Sequence, residues 1–474
     1  MSPLEPSLAD QREILDHAVA AVVGHAATIG QARVSPGPGE PPVRDRIAEV
    51  LAAVDGGATS SWEHALATCV EVLDDAVHPT HPRYFGLFNP TSALSGVVAD
   101  LLVSAFNPQL AAWSHAPAAC TVEEELIGFL GRRFGLPEPA GGFFTSGGAE
   151  ANAGALHLAL THRFPEIAES GLRALAGSPT IYASAASHLA WLKIVHTTGL
   201  GRRALRLVPV DAGGRLRPDA LRSMIEADRD AGAVPALIVA TMGATATGAV
   251  DPAREISEIA AANHTHMHVD AAWAGALCLS DSSRSLLRGI ETADSVTVDP
   301  HKWLSMPMGC GALVTRHVAA LGSTYHATTS YMPDPVDSAA DPYTHSPQWS
   351  RRFRGMGLLL ALLTAGLDGY DRQLSEDVRL GNVLRDGLVR DGWVLANETA
   401  LPVVCIVDPY AASSDAHHRA IADAVVANGR AWVSTVSVGE RTAIRACITS
   451  HRTTEADVGE LVTCLRQARD DARS

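Results

Sequence analysis

Gly142-Phe-Phe-Thr-Ser-Gly-Gly-Ala-Glu-Ala-Asn152 reads as a short β-rich run, a glycine turn and the opening of a helix, in that order. The same progression recurs downstream. β-Rich runs lie at 142–145, 180–183, 205–210, 236–241, 267–270, 295–298 and 311–315, and helix-length segments at 149–163, 217–231 and 252–263 fall between several of them. Alternation of this kind predicts a mainly parallel sheet of seven strands with helices on both faces. The run at 311–315 follows its predecessor without a full helix, which leaves room for one antiparallel partner.

Working outward, residues 9–29 have an amphipathic helical pattern and lead into Val34-Ser-Pro-Gly-Pro-Gly-Glu-Pro-Pro-Val43. That stretch cannot be helical and is expected to be an extended arm. Helical patterns follow at 61–77 and 92–106. Beyond residue 350 a long apolar helix (353–370) precedes strands near 393–396, 403–407 and 442–448, with helices near 414–428 and 454–470. A chain of 474 residues exceeds one hydrophobic core. The expected division is an N-terminal helical arm (1–110), a large α/β domain (111–350) and a smaller C-terminal α+β domain (351–474).

Hydrophobic residues make up 47% and charged residues 19%, enough apolar material for a sizeable core. The net charge of −15, with no run of Lys or Arg, disfavours nucleic acid and anionic membranes as partners. Seven scattered cysteines without a CxxC pair argue for a reducing compartment and against a structural zinc or a disulfide framework. The first ten residues are polar, and no apolar run approaches the roughly 20 residues that span a bilayer. A cytoplasmic location is expected.

Ligands of such sheets gather outside the carboxyl ends of the strands. Ser146-Gly147-Gly148, at the start of a helix, could cradle an anion on free N–H groups, or be a plain tight turn. Asp270, at a strand end, needs a partner for its buried charge: a cationic ring nitrogen, a metal or an arginine. Lys302, between a proline turn and Trp303, sits where desolvation would favour the uncharged, nucleophilic amine. A phosphate cradle, an Asp and such a Lys are together what pyridoxal phosphate requires: an anchor, a partner for the pyridine nitrogen and a Schiff-base amine. His188 could stack on a flat ring or cap a helix. His264, His266 and His268 alternate as one strand face would, but no further ligand completes a set, so no metal is expected. Gly309-Cys-Gly311 and Gly37-Pro-Gly39 lack the third glycine of a dinucleotide fingerprint, and there is neither a P-loop nor a Gly-x-Ser-x-Gly elbow.

Taken together, Phe-Thr-Ser-Gly-Gly-Ala-Glu-Ala-Asn (144–152), Ser-His188, Met-Gly-Ala-Thr-Ala-Thr-Gly-Ala-Val-Asp-Pro (242–252), His-Val-Asp-Ala-Ala (268–272) and Asp-Pro-His-Lys-Trp (299–303) resemble, in order and spacing, the group II pyridoxal-phosphate amino-acid decarboxylases, aromatic-L-amino-acid decarboxylase among them. His-Pro-Arg-Tyr-Phe (81–85), residues 117–125 and Arg-Arg-Phe-Arg (351–354) add to the match. The resemblance implies fold type I and a homodimer with active sites at the interface, in which the N-terminal segment swaps. It also implies that Lys302 binds the cofactor, Asp270 pairs with the ring nitrogen, and His188 and Ala272 cover the two ring faces. Gly147, Gly148 and His301 would surround the phosphate, with Thr245 nearby, and a loop tyrosine, Tyr331 or else Tyr325, would protonate the substrate carbon. Trp273 and Asp299 depart from the family's commoner residues, and Asp299 beside a phosphate would have to face away or be paired.

The expected reaction is decarboxylation of an L-amino acid. Phe88 and Trp113 favour an aromatic or large apolar side chain, while Asn89 and His115 allow a polar one. Two other readings are an oxidative deaminase that forms an aldehyde and an inactive homologue serving as a binding subunit. The presence of His188 and Tyr331 speaks against the first, and the full Lys–Asp–His–Tyr set against the second.

Overall fold

The computed structural model describes residues 4–36, 43–86, 88–327 and 340–473. Seven strands form the main sheet: β1 (Gly141–Thr145), β2 (Pro179–Ser184), β3 (Leu205–Val208), β4 (Val234–Thr241), β5 (His266–Asp270), β6 (Ser295–Val298) and β7 (Gly311–Thr315). Their order is β1-β7-β6-β5-β4-β2-β3. Pairs among β2 to β6 are parallel, and β7 runs antiparallel to both neighbours. The chain turns back there because residues 299–310, which join β6 to β7, form turns and no helix. β4 is buried from Pro235 to Thr241, the continuous burial of a strand covered on both faces. The helix Gly148–Arg163 lies across β4 to β7 with Ala151, Ala155, Leu156 and Leu158 fully buried; its small residues let it approach closely.

A second, antiparallel sheet has the order β10-β11-β9-β8, from β8 (Val394–Leu395), β9 (Val403–Val407), β10 (Ser434–Val438) and β11 (Arg441–Cys447). Its core includes Leu380, Leu384, Ile406, Ile444 and Leu461. β10 was not legible in the sequence because it is a half-exposed edge strand. It joins β11 through the two-residue turn Gly439-Glu440, where Gly439 takes φ +60°. The long helix expected at 353–370 runs instead from Gly355 to Arg390 and is broken at Gly366 (φ 65°, ψ −179°). Its second part is amphipathic, so a reading of apolar run length stops short of it. The helix Pro117–Phe134 was also missed, although Pro117 at its first turn and Gly135 at its end (φ 76°) are its start and stop signals.

Two N-terminal helices are thinly covered. Leu8–Thr28 has no buried residue, and Leu94–Phe106, packed on the Gly355–Arg390 helix, exposes Leu94, Leu101, Leu102 and Phe106. Residues 37–42 of the expected arm lie outside the described residues. Among the described residues no helix is long and apolar enough to cross a membrane.

Candidate active site

The carboxyl ends of β1, β2, β4, β5 and β6 converge on a cavity of about 290 Å³. Gly147 and Gly148 line it from the turn after β1, His188 from the segment after β2 and Thr245 from that after β4. Asp270 and Ala272 reach it from β5, and His301 and Lys302 from the turn after β6. Residues spread over more than 150 positions of sequence thus share one wall because a parallel sheet places all its carboxyl ends on one edge.

The turn after β1 has to be glycine. A Cβ on Gly148 would stand 2.9 Å from Asp299 Oδ2 and 3.2 Å from the Ala272 Cβ. The N–H groups of Gly148 and Ala149, at the start of the helix, have no intrahelical acceptor and line the cavity, as an anion site requires. The Glu150 carboxylate is occupied at the rim, accepting from the Ser146 N–H (2.7 Å) and hydroxyl (2.6 Å) and from the Gln348 amide. Burial raises the Glu150 carboxyl, but these hydrogen bonds outweigh it and hold the group below the usual range.

His266, His268 and Asp270 alternate along β5 and so share a face. That face carries a continuous polar chain. The Asn152 amide donates to Asp270 Oδ2 (2.8 Å), and the Asn152 carbonyl oxygen meets His268 Nε2 (3.0 Å). His268 Nδ1 meets the Ser295 hydroxyl (2.9 Å), which also meets His266 Nε2 (2.9 Å). Burial pushes His268 down to about 3, so the ring is neutral at ordinary pH. Its Nε2 then carries the proton for Asn152, and its Nδ1 accepts from Ser295. Asp270 accepts a second N–H from Ala272 (3.2 Å) and is 5% exposed: an oriented, nearly buried carboxylate aimed at the cavity.

Lys302 Nζ lies 3.0 Å from Asp299 Oδ2, with a quarter of its side chain exposed. The surroundings therefore hold the amine as an ion pair, whereas the sequence suggested plain desolvation. Asp299 answers its own question in the same way: it is 1% exposed and faces the lysine, although its Oδ1 has no hydrogen-bond partner among the described residues. His301 Nδ1 accepts the Cys310 N–H (3.1 Å), which leaves a donor at Nε2, and burial lowers its pKa. Trp303, next to the lysine, donates from Nε1 to the buried Asp377 (2.7 Å), whose carboxyl burial pushes up to about 7. His188 Nδ1 accepts the Ala190 N–H (3.1 Å), and its Nε2 is left as the donor.

The residues expected to meet the substrate are elsewhere. Phe88 is buried against Trp273, with ring centroids 4.6 Å apart and 8° between planes, and does not line the 290 Å³ cavity. Half-buried Asn89 and Trp113 do not line it either, and the Trp113 backbone N–H donates to Asp341 (2.8 Å). Tyr331 lies outside the described residues. Tyr325 packs edge-on against Phe143, its hydroxyl donating to the Gly154 carbonyl (3.4 Å), away from the cavity. Sequence reasoning assigned nothing to Asn152 or Arg445. Arg445 is 3% exposed in β11, donates to the Thr245 carbonyl (2.7 Å) and to that of Gly86, and stands 5.2 Å above the Phe88 ring. Its Nε has no partner among the described residues, and it lines a cavity of about 1150 Å³ that shares His188 and Thr245 with the smaller one. A charge in the middle of the apolar run Thr442-Ala-Ile-Arg-Ala-Cys447 was the signal that could have found it.

Residues 55–407 match the family model of the pyridoxal-dependent decarboxylase conserved domain. The L-2,4-diaminobutyrate decarboxylase of Rhizobium meliloti (strain 1021) is 33% identical over 65% of this chain, a match that spans 61% of that enzyme. The cysteine sulfinic acid decarboxylase of Mus musculus is 31% identical over 73% of this chain and 71% of its own. The crystal structure of Oryza sativa TDC with PLP and tryptamine superposes with a TM-score of 0.92 at 25% identity, covering 99% of both chains. The site fits the cofactor these names imply: free helix-start amides for a phosphate, an oriented carboxylate for a ring cation, and a lysine in the same cavity. The chain belongs to the pyridoxal-dependent decarboxylase family, as a fold type I enzyme whose cofactor is pyridoxal phosphate.

Proposed function

We propose that the protein removes the α-carboxylate of an L-amino acid as CO₂, with an aromatic or large apolar side chain preferred. The observation that carries this reading is the single cavity in which the Gly147–Gly148 turn, His188, Asp270 and Lys302 meet. When bound, pyridoxal phosphate supplies an aldehyde for the amine and an electron sink for the bond that breaks. Lys302 is the amine that would hold it, and Asp299 at 3.0 Å keeps this side chain in place. Asp270, held by Asn152 and Ala272, would sustain a positive charge on the ring nitrogen. Gly148, Ala149 and His301 would hold the phosphate, and Ala272 and His188, which line the same cavity, would pack against the ring. Arg445, a buried guanidinium whose residue lines the adjoining cavity, is suited to a substrate carboxylate. Tyr331 is assigned the returning proton by the family resemblance alone.

The substrate preference is supported by the walls. Trp273 lines the cofactor cavity with Phe88 stacked behind it, and Leu395, Val407, Val436 and Val438 line the larger cavity. The uncovered apolar faces of Leu8–Thr28 and Leu94–Phe106 support a homodimer, and an interface placement would account for Asn89 and Trp113 lying outside the protomer's cavity. Seven free cysteines, six of them buried, are in keeping with a cytoplasmic location. The test is CO₂ release from each of the twenty amino acids, with ammonia and hydrogen peroxide measured alongside. Fastest turnover of an acidic or diamino substrate would overturn the side-chain preference, and peroxide in step with CO₂ would overturn simple decarboxylation. Sedimentation as a monomer at working concentration would overturn the dimer.

A further inference from the structure

At the opposite end of β5 from Asp270, about 13 Å along the strand, one ring nitrogen from each of His162, His266 and His317 lies within 4.8 Å of the other two. The three come from the last turn of the helix Gly148–Arg163, the start of β5 and the residues just past β7. They border a cavity of about 520 Å³ that opens away from the cofactor site and shares no residue with it. We propose that His162, His266 and His317 form a binding site for a divalent transition metal of the zinc class.

The polar chain along β5 sets the chemistry of the central ligand. Asn152 gives its N–H to Asp270 and so turns its oxygen to His268; Nε2 of His268 is then a donor and Nδ1 an acceptor. Ser295 donates its proton to that Nδ1 and must accept at its oxygen from His266 Nε2. His266 is left with a bare lone pair on Nδ1, and this atom is buried without a hydrogen-bond partner among the described residues. A lone pair without a donor, beside two more imidazoles, suits a cation better than it suits a packed core.

His317 is prepared in a similar way. Its Nε2 meets Asp294 Oδ1 at 2.8 Å, the carboxylate–histidine arrangement that orients a metal ligand and leaves Nδ1 for the metal. Asp294 also offsets the nearby charge of Arg316, whose Nε and Nη2 donate to the carbonyls of Ala293 and Thr292. His162 lies over the His317 ring with centroids 4.1 Å apart and is the exposed member. Nitrogens that share a tetrahedral zinc at about 2.0–2.1 Å stand roughly 3.3 Å apart. A rotamer shift of His162, free to move at the surface, closes that gap, and water from the cavity supplies the fourth ligand. The ion would fasten the ends of three core elements together. His264, which the sequence grouped with His266 and His268, lies outside the strand and outside this cluster.

The test is equilibrium dialysis of the full-length, cofactor-loaded protein, freed of excess cofactor, against ZnCl₂, with CoCl₂ used in parallel to read coordination from visible absorbance. The expected result is one ion per chain, a cobalt spectrum of tetrahedral intensity and a raised unfolding midpoint. His162→Ala, a surface change, should abolish one-to-one binding, and Asp294→Asn should weaken it about 10–100-fold. Circular dichroism confirms that each variant is folded. Absence of saturable one-to-one binding, or binding unchanged in His162→Ala, would overturn the proposal.

Discussion

Replacing Asn152 by leucine removes the link between Asp270 and His268 while keeping nearly the same volume. Asn152 is 2% exposed and makes two hydrogen bonds, one to a carboxylate (2.8 Å) and one to a neutral imidazole (3.0 Å). A bond to a charged group contributes about 1.5–3 kcal/mol and a neutral one about 0.5–1.5 kcal/mol, so a loss of about 2–4.5 kcal/mol is expected. Asp270 keeps the Ala272 N–H on Oδ1 but loses its donor at Oδ2, which places the loss towards the upper end of that range, while His268 keeps Ser295 and Thr297. Urea unfolding of the cofactor-free protein measures it, and the deficit should be nearly constant with pH. Asn152→Asp supplies the contrast. It sets a second carboxylate where the donor stood, the two cannot both ionise, and the pair retains a proton in the folded state. The folded pKa is then raised above the unfolded value of about 3.9, so stability is lost as pH rises above that value. An Asn152→Leu protein within about 0.5 kcal/mol of the parent, or an Asn152→Asp deficit that does not grow with pH, would refute the reasoning about this chain of bonds.

Other changes probe the remaining parts. Lys302→Ala should abolish both turnover and the visible absorbance of the bound cofactor; retained turnover would remove the lysine from the reaction. Asp377, beneath Trp303, has a carboxyl pushed up to about 7, so its proton stabilises the fold at acid pH and that contribution fades between about pH 4 and 7. Asp377→Asn should therefore gain on the parent by about 1.4 kcal/mol per pH unit over that window, read from unfolding curves at pH 5, 6 and 7. Glu123, fully enclosed, accepts from Arg351 (2.6 Å) and from the backbone N–H groups of Arg354 (2.8 Å) and Gly355 (3.0 Å). Arg351→Met leaves that buried charge without its cation and should cost about 3–5 kcal/mol in chemical unfolding; a loss below about 1 kcal/mol would show that the two backbone donors suffice.

The sequence by itself determined the elements and the chemistry each loop brings. Every strand of the main sheet was legible: central strands such as β4 are buried apolar runs, and the turns after several strands carry glycine, aspartate and lysine at recognisable spacings. The two-part helix Gly355–Arg390 and β10 were not, since an amphipathic helix half and a half-exposed edge strand leave only a weak pattern. What only the tertiary structure decided is which groups meet across the sheet. Asp299 lies close to Lys302 in sequence, yet that its carboxylate meets the lysine while standing against Gly148 depends on how residues 299–310 fold back. Asn152 reaches Asp270 from 118 positions away, and His162, His266 and His317 gather from three separate elements. Local periodicity records which face of an element is apolar, whereas hydrogen-bond partners are set by sheet order and register. Those follow from packing the whole core, which no single stretch of the chain encodes.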